Sequence, residues 1–109
     1  MIDGKTEKSE NDKIREKLNL SEIRSRIDSI DRELVKLMEK RLVTVKEVAM
    51  YKKMNNMKIF DGKREKEVIE KNLSNVSDEN VKFYIETLLN DIMKVSREYQ
   101  KAEIGKDNG

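Results

Sequence analysis

Apolar residues recur at steps of three and four through one long stretch, from Ser21 to about Met54. Ile23, Ile27, Ile30, Leu34, Leu37, Leu42, Val45, Val48 and Ala49 fall on one face of an α-helix. Neither Gly nor Pro interrupts them. At ~1.5 Å per residue such a helix runs roughly 50 Å. A periodic run beyond about 25 residues points to a coiled coil, a membrane span or a helical repeat. Its charge density excludes the membrane span.

Ser21 is the expected N-cap, with Glu22 favourable at the positive helix end. The helix is expected to fail at Met54–Lys58, because Asn55 and Asn56 are poor helix formers and good turn residues. Ile59 and Phe60 follow as an apolar anchor, and Asp61 caps a second helix from Gly62 to about Ser74. Ser77 or Asp78 caps a third, which runs to about Lys101 and is amphipathic through Val81, Ile85, Leu89, Ile92 and Tyr99. The expected fold is therefore all-α: one very long N-terminal helix, a short middle helix and a long C-terminal helix. Residues 1–20 read as a polar, partly disordered extension whose first ten or so residues are a mobile tail and in which Ile14 and Leu18 can extend a helix from about Asn11, residues 21–101 as the helical domain, and residues 102–109 as a polar tail.

The buried face of the long helix is not purely apolar. Arg24, Ile27, Asp31, Leu34, Met38, Arg41, Val45, Val48 and Lys52 share one stripe. A buried cation without a partner costs several kcal/mol, ~3–5, so Arg24, Arg41 and Lys52 need anions to meet. Either carboxylates of other helices supply them, or the cations snorkel at the edges, or the seam forms a pocket for a small polyanion. Arg24 and Arg41 lie 17 residues apart, roughly 25 Å along the axis, which no small metabolite spans. Arg41 and Lys52 are about 16 Å apart and can converge on one ligand over a floor of Val45 and Val48. That geometry favours a dimer with two shared pockets. On the third helix Ser96 and Gln100 share the apolar stripe, as a frayed end or as donors closing a pocket. Asp61, Arg64 and Glu65 form either a solvated first turn or a further part of an anion site.

Composition narrows the chemistry. Of 109 residues 42% are charged, with a net charge of +2 and the two signs interspersed. No basic block or helix-turn-helix pattern suggests nucleic acid. No hydrophobic segment follows Met1, so the expectation is a cytoplasmic protein without signal peptide or membrane anchor. Cys and His are both absent, which rules out Ser-His-Asp and Cys-His sites and the commonest soft-metal ligands. The Gly residues, at 4, 62, 105 and 109, make no phosphate loop. No metal or cofactor is expected. An enzyme built from this inventory works by positioning and electrostatics.

The ordered set is I-R-S-R-I-D-S-I-D-R-E-L-V-K-L-M-E-K-R, then Lys52, D-G-K-R-E at 61–65 and S-R-E-Y-Q at 96–100. It closely resembles the all-helical chorismate mutases over about residues 20–101. The resemblance implies a monofunctional, intertwined homodimer in phenylalanine and tyrosine biosynthesis, with chorismate as substrate. Arg24 would reach into the partner's site. Arg41, Lys52, Asp61, Arg64, Glu65, Ser96 and Gln100 would line their own. Chorismate, a dicarboxylate, would rearrange to prephenate by an intramolecular [3,3] shift without cofactor. Arg24 and Arg41 would clamp its carboxylates, with Arg64 and Ser96 in support. Lys52 and Gln100 would donate to the ether oxygen as it gains charge. Glu65 would accept from the ring hydroxyl, and Asp61 would shape the loop. Some relatives carry Glu in place of Gln100 and need it protonated; Gln removes the need for acid pH. Two alternatives stand beside this reading: an isochorismate-pyruvate lyase, and a non-catalytic helical dimerisation module whose seam cations pair with carboxylates of the partner.

Overall fold

The computed structural model describes residues 9–106. Four helices follow one another: α1, Glu10–Lys17; α2, Leu20–Met54; α3, Gly62–Leu73; and α4, Glu79–Gly105. No strand occurs among the described residues. The expectation of three helices is corrected to four. The mobile start expected for the chain falls mostly on residues 1–8, outside the described part.

Two compact units divide the chain between Met38 and Glu39. The N-terminal unit holds α1 and the first half of α2. Local polar chemistry, rather than an apolar face, makes α1 a helix. The Ser9 hydroxyl accepts from the Asp12 N–H at 3.1 Å. Glu10 and Asp12 sit in the first turn, Arg15 and Lys17 in the last, which suits the helix dipole. Lys13 pairs with Glu10 and Arg15 with Asp12, each three residues apart. The cap of α2 is Asn19, not Ser21: its Oδ1 accepts from Glu22 N–H and its carbonyl from Ile23 N–H. No residue of α1 is buried, and Ile27, Ile30, Leu34 and Leu37 of α2 are all about half exposed or more. The apolar stripe is real, and its residues stand exposed.

The second unit holds the rest of α2, with α3 and α4. At the end of α2, Asn56 adopts φ 52°, the left-handed conformation that Asn tolerates better than most residues. Met57 N–H donates to the Lys52 carbonyl at 2.8 Å and Asn56 N–H to the Lys53 carbonyl at 3.3 Å. This pair of bonds satisfies two otherwise unpaired carbonyls and stops the helix. Asp61 caps α3, accepting from Arg64 N–H at 3.0 Å, and Asp78 caps α4, accepting from Asn80 N–H at 2.9 Å. Among the described residues of this unit only α3 and α4 approach closely along their backbones; long side chains bridge α2 to α4. The buried apolar core is Ala49 of α2 and Met93 of α4.

Helix α4 passes the expected end at Lys101 and continues to Gly105. Anchors from α2 hold this last turn. Lys46 pairs with Glu103 at 3.7 Å, and the Lys53 ammonium approaches the Ile104 carbonyl at 3.5 Å. Glu103 also accepts from Lys106 at 2.8 Å. Its side chain is 8% exposed despite its charge.

Two predictions follow from these ends. Asn56→Val is expected to cost about 1–2 kcal/mol, the penalty for a branched residue in left-handed backbone, while Asn56→Gly melts at or above the wild-type temperature. Thermal unfolding measures both, and equal melting of the two variants would refute the assignment. The second concerns acid. The Lys106 hydrogen bond, aided by the charges of Lys106 and Lys46, holds the Glu103 carboxyl below its ordinary range. A depressed acid stabilises above its unfolded pKa, about 4.3, and loses that contribution as pH falls through the folded value. Protection of the amides at residues 103–105, taken relative to intrinsic exchange at each pH, is therefore expected to fall below about pH 4. Glu103→Gln abolishes that dependence.

Candidate functional site

Side chains from all three helical segments of the second unit surround a cavity of about 290 Å³. Its floor is apolar, from Val45 and Val48 of α2, Val68 of α3 and Met93 of α4. Seven of the eight residues expected at the site line it: Arg41, Lys52, Asp61, Arg64, Glu65, Ser96 and Gln100. The eighth, Arg24, belongs to the N-terminal unit and is exposed.

Arg41 projects from α2 and donates from Nη1 to Ser96 Oγ at 2.5 Å. Ser96 Oγ donates in turn to the Ile92 carbonyl at 2.7 Å, one turn back on α4. The hydroxyl is thus oriented by its own helix and presents its oxygen to the guanidinium. Burial first, and the positive charge of Arg64 second, pull Arg41 below its ordinary pKa. An arginine stays charged even so. Among the described residues neither Arg41, Lys52 nor Arg64 is in an ion pair. Lys52 donates from Nζ to the Ile59 carbonyl at 2.6 Å, which draws the loop before α3 against the end of α2. Its own carbonyl is the one that receives Met57 N–H, so one residue fixes both ends of that loop.

The carboxylates are committed elsewhere. Asp61 caps α3. Glu65 Oε1 accepts from Arg97 Nη1. Arg97 carries no role in the sequence reading, although it sits between Ser96 and Gln100. Its helical phase is the available signal: one residue beyond Ser96, about 100° around the helix, a side chain meets a different neighbour.

Gln100 is 7% exposed, and its Oε1 finds no hydrogen-bond partner. An unpaired buried amide oxygen costs about 1–3 kcal/mol. The amide, three cations without counter-ions and an apolar floor together suit a compact ligand carrying negative charge and hydrogen-bonding oxygens. Among the described residues no group of three His, Cys, Asp or Glu could hold a metal, and no helix is long and apolar enough to cross a membrane.

No curated protein and no solved structure matches the chain. A family model described as chorismate mutase type II does match, over residues 23–101, a span that takes in Arg24 as well as every predicted residue lining the cavity. The chain belongs to the type II chorismate mutase family.

Proposed function

We propose that the chain converts chorismate to prephenate, as an isomerase of phenylalanine and tyrosine biosynthesis. The observation that carries this reading is the set of three cations, Arg41, Lys52 and Arg64, left without carboxylate partners around one apolar-floored cavity. Such a set costs free energy unless an anion arrives. A dicarboxylate answers it, and the rearrangement asks for nothing that this chain lacks.

The reaction breaks one C–O bond and makes one C–C bond within a single molecule. Arg41, already aimed by Ser96, binds one carboxylate, and Arg64 adds its charge nearby. Clamping both carboxylates holds the reacting ends in a near-attack geometry. The ether oxygen gains negative charge as its bond to carbon breaks. Lys52 and Gln100 are the donors for that oxygen, and their hydrogen bonds strengthen in the transition state. The ammonium has three protons, so Lys52 can keep Ile59 while it serves the ligand. Gln100 carries an amide NH₂ as well as its unpaired oxygen, and no protonation step precedes its use.

Arg24 supplies the second carboxylate clamp to the pocket of a partner chain, since seventeen residues of helix separate it from Arg41. The same homodimer covers the exposed stripe of Ile27, Ile30, Leu34 and Leu37. A chain whose buried apolar core is Ala49 and Met93 gains most of its apolar burial that way.

Chorismate loss with prephenate formation, followed by ultraviolet absorbance in EDTA near pH 7.5, is expected for the purified protein. Failure with chorismate beside turnover of isochorismate would sink the mutase assignment. Arg41→Ala is expected to keep helix content and lower kcat/KM by about 100-fold or more. Lys52→Ala is expected to lower kcat by about 100–1000-fold while weakening ground-state binding far less. An equal loss in both would remove its transition-state role.

The shared pocket has its own test. Arg24→Ala and Arg41→Ala chains are each expected to be nearly inactive alone. After equal mixing and exchange, half of the dimers are mixed, and each mixed dimer has one intact pocket of its two. About a quarter of wild-type activity should return. No recovery in verified mixed dimers would place Arg24 outside the site.

A further inference from the structure

A carboxylate, Glu65, lines the same cavity as Arg41, Lys52 and Arg64, yet pairs with none of them. In a partly desolvated pocket, opposite charges on flexible side chains would ordinarily find each other. Glu65 is held instead by Arg97 of α4, through an Nη1–Oε1 bond that leaves Oε2 without a donor among the described residues. Both side chains are largely covered, at 28% and 21% exposed.

Arg97 is itself held. Its guanidinium carbon lies 5.5 Å from the centroid of the Phe60 ring, a cation–π distance. Phe60 is 63% exposed and fills no core. It folds back over the start of α3, where a Cβ on Gly62 would stand 3.1 Å from its Cζ. Phe60 precedes the Asp61 cap and Glu65 is the fourth helical residue after it. These are the two positions that a hydrophobic staple joins by direct contact. Here the second is charged, and Arg97 bridges the pair with a face for the ring and an N–H for the carboxylate.

We propose that Arg97 is a positioning residue: it holds Glu65 away from the pocket cations, so that Arg41, Lys52 and Arg64 stay open to a dicarboxylate, and it leaves Glu65 one oxygen for a substrate hydroxyl. The assignment rests on the mutase reading above. Without Arg97, Glu65 turns to the pocket cations and competes with the substrate carboxylates.

The test uses full-length protein, with KM and kcat for chorismate and calorimetric binding of a bicyclic dicarboxylate transition-state mimic. Arg97→Met is expected to raise KM and the mimic's Kd about tenfold or more, with helix content unchanged. Adding Glu65→Gln to that variant removes the competing charge and is expected to bring KM back to that of Glu65→Gln alone. A role confined to bracing α3 on α4 predicts no such recovery. Arg97→Lys keeps the charge and loses the stack, and is expected to show a smaller rise in the same direction. It carries the test if Arg97→Met does not fold. Unchanged binding in the folded Arg97 variants, or a double variant no better than Arg97→Met, overturns the proposal while the mutase reading stands. A wild-type protein that neither binds the mimic nor consumes chorismate overturns both.

Discussion

Arg41 is half-buried, charged and without a counter-ion, and the rest of the second unit is arranged around that fact. Ser96 gives it an oxygen but no charge, and the Ile92 carbonyl orients that oxygen by accepting its hydrogen bond. Arg64 adds repulsion instead of relief. Carboxylates that could neutralise the pocket are occupied, Asp61 with a helix end and Glu65 with Arg97. The wide gap between α2 and α4 follows. Backbones packed closely there would leave no room for a guanidinium with its hydroxyl, or for the cavity beneath them.

The same gap explains how little the chain buries. A pocket occupies the space that a compact bundle would fill with side chains, and the buried apolar residues reduce to Ala49 and Met93. The two units meet this differently. In the second, charged side chains span the gap: Arg41 to Ser96, Lys46 to Glu103, Lys53 to Ile104. In the first, the apolar residues of the α2 stripe stand about half exposed or more.

What the sequence made legible was what local chemistry decides. The run of α2 and its stop at Asn55–Asn56 depend on dihedral preferences of the residues themselves, as do the caps at Asp61 and Asp78. The cap of α2 was misplaced by two positions because Asn19 and Ser21 are both competent and only the hydrogen bond to Glu22 separates them. α1 carries no apolar period; its cap and ion pairs are the signal. The last turn of α4 looked like a tail because its anchors lie some fifty residues upstream, on a face of α2 that reads as solvated. Arg97 was invisible for a related reason. A charged residue between two motif positions looks like surface until α3 is seen to place Glu65 opposite it. The seven predicted residues that line the cavity are grouped by their order along the chain through the family resemblance, since a single helix phase does not group them.

Ser96, Arg97 and Gln100 occupy little more than one turn of α4, yet they address α2, α3 and the cavity between. Inserting or deleting one residue N-terminal to them within α4 would turn all three by about 100° relative to the upstream half of the helix. A slip that restored one contact would misplace the others. A change of length in the connection at residues 74–78 carries no such rotation of one half of a helix against the other. The spacing inside α4 is thus a constraint on three contacts at once, whereas a loop residue answers to one.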